Sequence, residues 1–348
     1  MITIIFAAYA LAVIAGLFLF GRVSDVIGRR GLLIPGVLLG ALSAIAFALE
    51  NGLGAILIGR ILSGLSAAIF TGTATAAMVD LVREDERVHA TTMAVGANLG
   101  GLATGQVLSG VLSQYAPRPL QLVFLVNLVL LLPALVAIVF VPETVQVSRL
   151  AWRLERFSIP VEVRSAFIPA AFSGFCGFAI FGVFGSIVPL FLARSLDLPN
   201  HALAGLIAGV LLTFAAIGQL AVLRVSERVA LPIGCVGFIA GMLLVGAAVG
   251  GNLLWPLIAA TPLLGLSQGL VVGSGLAGIN KSAPANRRGE VASTYFLVLF
   301  IGLSPPVVAV GFASNALGLR TAGLLLAGSA ITVVLVVLVW LLRRPVVD

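Results

Sequence analysis

Eleven runs of mostly apolar residues, each near the length of a membrane crossing, constrain this chain more than any other feature. They cover Ile2–Phe20, Leu32–Leu49, Leu53–Val79, Ala90–Leu112, Leu120–Val141, Ala166–Leu192, His201–Leu223, Leu231–Val249, Leu253–Ile279, Val291–Phe312 and Thr321–Leu342. A hydrocarbon layer about 30 Å thick needs roughly 20 such residues per helix. No water is present there to satisfy an open backbone, so spanning segments must close their own hydrogen bonds. The expectation is an all-α polytopic membrane protein with about 11 transmembrane helices. Composition agrees: 9% of the residues are charged, against roughly 25% in soluble domains. The first run has no basic segment before it and no small-residue cleavage site after it, so it reads as a span and not as a signal peptide.

The net charge of +7 could suggest a nucleic-acid surface. Its distribution argues otherwise. Counting alternate connections, one set holds Arg22, Arg29 and Arg30; Arg83 and Arg87; Arg149, Arg153, Arg156 and Arg164; Arg224 and Arg228; Lys281, Arg287 and Arg288; and Arg343 and Arg344. That is 16 of the 20 basic residues, while the other set holds Arg118, Arg194 and Arg320. Short loops rich in Lys and Arg stay cytoplasmic. The expected topology is therefore a multi-pass protein of the cell's inner (plasma) membrane, with Met1 outside and the C-terminus in the cytoplasm.

The halves repeat. Arg22-Val23-Ser24-Asp25 returns 202 residues later as Arg224-Val225-Ser226-Glu227. At the same offset Ala90-Thr91-Thr92 matches Ala292-Ser293-Thr294, and Gly100 matches Gly302. Two homologous bundles are implied, an N-terminal one over 1–145 and a C-terminal one over 166–348, joined by a basic cytoplasmic loop over 146–165. The second bundle has six expected helices and the first five. The helix expected to be missing is the one that would precede Ile2.

The connection after the first span reads Gly21-Arg22-Val23-Ser24-Asp25-Val26-Ile27-Gly28-Arg29-Arg30. Gly21 and Gly28 permit a tight turn, and Asp25, Arg29 and Arg30 can form hydrogen-bonded ion pairs. The segment resembles the signature loop of major facilitator superfamily (MFS) transporters, with Val26 where a basic residue is usual. The resemblance implies a fold of two helical bundles around a central cavity, working by alternating access. It also implies that Asp80, at the acidic-then-basic exit of the third run, pairs with Arg29, and that Asp25 sits against the N-terminal end of the tenth run. Glu84 to Glu86 read as a solvated face.

Arg60 is the one ionisable residue deep within a span. Such a cation costs at least about 2.5–3.5 kcal/mol on insertion scales, which makes it a functional candidate by default. Arg60-Ile61-Leu62-Ser63-Gly64 resembles a pattern of the family's fourth helix, whose arginine faces the cavity. The competing reading is a structural arginine, held by helix-end carbonyls or snorkelling outwards. Gly64 is expected beside Arg60 at the cavity, and Asn98, Gln106 and Gln268 are candidate hydrogen-bonding groups of the cavity, or interhelical ties. Gly96, Gly100, Gly101 and Gly105 resemble a glycine motif of the antiporter branches and are expected to pack against a neighbouring helix; that motif favours efflux. Pro305-Pro306 predicts a bend, and Pro142-Glu143-Thr144 reads as a helix end.

All 13 carboxylates lie at span ends or in loops. Coupling therefore resides in the missing helix, or Arg60 shifts a proton elsewhere, or transport is passive. Paired catalytic acids, a nucleophile with its base and a phosphate-binding loop are all absent from the sequence, and Cys176, Cys235, His89 and His201 form no ligand pattern. The chain is therefore expected to be no enzyme and to use no cofactor or metal. Its expected partners are a small-molecule substrate, protons as a candidate coupling ion and the lipid bilayer, with no nucleic acid, and it is expected to be a monomer. The rival class is a chain without transport activity, either truncated or mis-started or a membrane sensor.

Overall fold

The computed structural model describes residues 2–20, 23–49, 52–144, 159–284 and 287–343 of the chain. Among these the secondary structure is helical throughout. The helices are α1 (Ile2–Phe20), α2 (Val23–Ile27), α3 (Arg29–Ala48), α4 (Gly52–Asp80), α5 (Arg87–Tyr115), α6 (Pro119–Phe140), α7 (Val161–Ser186), α8 (Val188–Ser195), α9 (His201–Ala221), α10 (Glu227–Gly251), α11 (Leu254–Ser282), α12 (Arg288–Leu303), α13 (Pro305–Leu317) and α14 (Leu319–Leu342). Each of the eleven apolar runs lies on helix. Nine segments among the described residues are both long and apolar enough to cross a membrane, α12 and α13 counting together as one. The other two runs form α1, apolar over Ala8–Phe20, and α5, which is long enough at 29 residues. α5 is diluted by His89, Thr91, Thr92, Asn98, Thr104 and Gln106.

Proline decides two breaks. The bend expected at Pro305-Pro306 is a complete interruption at Ser304, where two consecutive residues cannot donate to the preceding turn. The run expected to continue unbroken from Ala166 to Leu192 is corrected: it stops at Ser186 and restarts at Val188. Pro189 fits the first turn of the new helix, where no donor is required. Helix α7 also begins at Val161, inside the segment expected to be loop.

The chain divides into two compact units. The first comprises Met1–Val95 and Leu112–Arg156; the second, Gly96–Val111 and Phe157–Asp348. In the first, α4 packs on α1 and α3, and α3 on α6. In the second, α11 packs on α9, α10 and α7, α10 packs on α14, and α7 also contacts α12 and α14. Shifted by 202 residues, Gly52–Asp80 becomes Leu254–Ser282, the bounds of α11. The same shift turns the pairs α1–α4, α3–α4 and α3–α6 into α9–α11, α10–α11 and α10–α14, all of which are in contact. Close approach repeats as well. A Cβ on Gly16 would collide with Ala68, and one on Gly218, 202 residues later, with the Leu266 carbonyl and the Leu270 amide. The motif repeat is thus also a repeat of packing.

The second unit holds two apolar cores, one around Ile180, Leu211, Phe238, Met242 and Leu264, the other around Phe167, Ile279, Tyr295 and Leu299. Cys176 and Cys235 are free and buried there. In the first unit α6 has no buried residue, as expected of a helix whose outer face meets hydrocarbon.

Candidate functional site

Three helix ends of the first unit meet at Gly28-Arg29-Arg30. Gly28 stands just before α3 with φ +95° and ψ 154°, a region open essentially to glycine alone. Any Cβ there would run into the Glu143 carboxylate. That carboxylate lies across the N-terminus of α3, accepting from the Arg29 amide at 2.7 Å and from the Arg30 amide at 3.0 Å. A negative group on these otherwise unsatisfied donors is favoured by both hydrogen bonding and the helix dipole. Glu143 belongs to the Pro142-Glu143-Thr144 exit of α6, a segment whose sequence reads only as a helix end.

The Arg29 side chain completes the arrangement. Its Nε donates to Asp80 Oδ2 at 3.1 Å, at the last residue of α4, and its Nη1 donates to Ser24 Oγ of α2 at 2.6 Å. The Arg29–Asp80 pairing implied by the family resemblance is therefore present. Arg30 reaches back to α6, its Nη1 donating to the Val139 carbonyl at 3.2 Å. Side-chain exposures of 16% for Arg29 and 36% for Asp80 keep the ion pair in contact with water. Such a pair is worth about 0.2–1 kcal/mol. A tie of that size holds one arrangement yet can be broken at modest cost. Gly21 lies outside the described residues, as does the side chain of Asp25 and hence its expected contact.

Arg60 sits eight residues into α4, about 12 Å along the axis from Gly52 and some 30 Å from the Asp80 end. It is half-buried. Its guanidinium lies over the Phe47 ring of α3, 5.5 Å from the centroid, within the range of a cation–π contact. Phe47 stacks in turn on Phe124 of α6, with centroids 4.9 Å apart and planes 21° apart. Gly59 makes room for this, since a Cβ there would meet the Phe47 ring at 2.9 Å. The Ser43 hydroxyl donates to the Gly59 carbonyl at 2.8 Å, fixing α3 against α4 at the same level. Tyr9 of α1 is close enough to interact electrostatically with Arg60.

Gly64, expected near a cavity, is a packing residue, because a Cβ would meet Ala12 and the Tyr9 carbonyl of α1 at 2.7 Å. Gln268 is buried on α11 against Gly177 of α7. Asn98 and Gln106 are exposed on α5. At Gly96, Gly100, Gly101 and Gly105, the glycines expected to pack against a neighbouring helix, an added Cβ would find open space. On that helix the close contacts with α9 run from Ala103 to Gly110, a Cβ on Gly209 meeting Ala103 and Val107 and one on Gly205 meeting the Gln106 carbonyl. Gly110 meets Gly205 and the His201 carbonyl of α9.

A sequence profile of the Major Facilitator Superfamily matches residues 1–305. The chain belongs to the major facilitator superfamily. No curated protein matches it by sequence. Among solved structures it is similar to a POT family transporter in complex with 5-aminolevulinic acid, at 15% identity and a TM-score of 0.76, covering 97% of this chain and 88% of that one. A POT family transporter in complex with a thioalcohol-conjugated peptide gives 15% identity and a TM-score of 0.78, over 97% and 86% of the two chains. The partially occluded, inward-open xylose transporter XylE from E. coli gives 15% and 0.65, over 98% and 87%. At this identity the likeness establishes the fold. The MFS assignment makes this chain a multi-span membrane protein of a transporter family and not of an enzyme family.

Proposed function

We propose that this MFS chain moves a small molecule across the plasma membrane by alternating access, with export as its direction. The observation that carries the reading is the join of α2, α3, α4 and α6 through Arg29, Asp80, Ser24 and Glu143, on the same helix, α4, that bears Arg60 inside the membrane. Charge-assisted contacts at solvent-exposed helix ends can open and close in each cycle, because each contributes little alone. Arg60 is then the polar group on the substrate path, prepositioned by Phe47. The loops rich in Arg support a cytoplasmic side for this latch, with the C-terminus inside. The working bundles are an N-terminal one over 1–145 and a C-terminal one over 166–348, the protein works as a monomer without a cofactor, and proton coupling is the form of energy supply to test first.

The test is a panel of cytotoxic compounds applied to cells overexpressing the protein. The wild type is expected to raise tolerance to at least one compound, and Arg60→Ala to return tolerance to the level of empty cells while its membrane abundance is unchanged. Protection retained in Arg60→Ala would remove Arg60 from the path. Absence of protection or flux for the whole panel would favour the non-transporting reading.

A further inference from the structure

Gln268 is the middle residue of α11, about 21 Å along the axis from either end. It is 4% exposed, and its side chain packs over Gly177 of α7, where a Cβ would meet Gln268 Cγ at 2.8 Å. Its amide has no hydrogen-bond partner among the described residues. Buried hydroxyls of the same two helices are satisfied locally. Ser173 donates to the Pro169 carbonyl, Thr261 to that of Leu257 and Ser274 to that of Leu270. The Gln268 amide instead keeps two donors and an acceptor unused at mid-membrane, where leaving such groups unmade is costly.

The neighbouring groups define what could use them. Ala170 of α7 meets Gly275 of α11, so this contact and the one between Gly177 and Gln268 run in opposite directions along the two helices. Phe178 follows Gly177, and Phe181 lies one turn beyond Gly177 on the same face. The Phe178 ring lies 5.7 Å from that of Phe181 and 5.6 Å, edge-on, from that of Phe300 on α12. All three rings are half-buried. Every charged residue on the helices of the second unit lies within the first or last four positions of its helix. On α11 itself the charge is Lys281, about 20 Å along the axis from Gln268. A charged group held at this level would meet no opposite charge of its own unit, and burying it would be unfavourable. A neutral group with donor and acceptor side by side suits the amide, and a flat ring suits the phenylalanines.

We infer that Gln268 anchors a small molecule through an uncharged carboxamide-like group, paired donor to acceptor with the glutamine amide, while an attached flat ring lies against Phe178 and Phe181. That this molecule is the transported compound rests on the transport reading above, whereas the binding site does not.

The experiment titrates the purified full-length protein in detergent with benzamide, benzoate and benzylamine, three ligands of one shape that differ in charge, and reads binding by saturation-transfer NMR. Wild type is expected to bind benzamide saturably and the two charged ligands at least tenfold more weakly. Gln268→Leu, which keeps the bulk of the side chain, is expected to weaken benzamide about tenfold, equivalent to about 1.4 kcal/mol, and to abolish the preference. Because the amide is tied to no neighbour, the same variant without ligand is expected to unfold at a temperature no lower than wild type. Absence of saturable benzamide binding, equal binding of all three ligands, or unchanged benzamide binding in Gln268→Leu would overturn the site. A clear drop in the unfolding temperature of Gln268→Leu would overturn it as well, making the amide an interhelical tie. Benzamide binding by a protein that transports nothing would contradict the transport reading and leave this site standing.

Discussion

Arg29 does three separate jobs with one residue: its amide meets Glu143, its Nε meets Asp80 and its Nη1 meets Ser24. The backbone beneath it is held by Gly28. Gly28→Ala would both strain φ and collide with Glu143, so it should lower stability by about 1–3 kcal/mol, seen as a reduced unfolding temperature in detergent; an unchanged temperature would contradict the tight turn. Asp80→Asn keeps an acceptor near Arg29 but removes its charge. Its stability cost should stay below about 1 kcal/mol, as for a solvent-screened pair, while the transport rate changes clearly. A large loss of stability would mean that the pair is a structural bond and not a latch. The Arg29–Asp80 pairing was legible because both residues fall in recognisable signatures. Glu143 was not, because it lies 114 positions from Arg29. A Pro-Glu-Thr helix end gives no hint that its carboxylate will cover another helix's first turn.

For whole helices, hydrophobic length is the legible quantity: each apolar run overlaps a helix, and nine segments among the described residues are long and apolar enough to cross a membrane. It says little about breaks. Pro35, Pro133, Pro169, Pro232 and Pro262 all sit inside continuous helices, whereas the tandem Pro305-Pro306 interrupts one. Spacing of small residues likewise marks helices that could approach closely without naming the turn that does. On α5 a Cβ on any of the four motif glycines would find open space, whereas the contacts with α9 involve Ala103, Gln106, Val107 and Gly110. Substitution separates the two kinds of position. Gly100→Ala should be tolerated and even raise helix stability by up to about 1 kcal/mol. Gly110→Ala and Gly64→Ala insert atoms where a neighbouring backbone already lies, and should cost about 1–3 kcal/mol. Thermal unfolding of the three variants in one detergent checks this, and equal behaviour of Gly100→Ala and Gly110→Ala would refute it.

Across the whole molecule the charge of +7 and the internal repeat tell one story. Sixteen of 20 basic residues mark alternate connections, and a shift of 202 residues carries three helix pairs of the first unit onto three of the second. A repeated bundle is the architecture on which alternating access is built, one repeat moving against the other around a midplane site. The charge pattern predicts that a reporter fused after Asp348 is active only on the cytoplasmic side; activity outside would reverse the topology. The most direct measurement of the transport claim is counterflow in proteoliposomes. Vesicles holding the purified protein are loaded with unlabelled compound from the protective panel and diluted into a trace of the labelled form. A carrier that alternates predicts transient, saturable accumulation of label in wild type and none in Arg60→Ala. Non-saturable leak, or the same accumulation in both proteins, would contradict it.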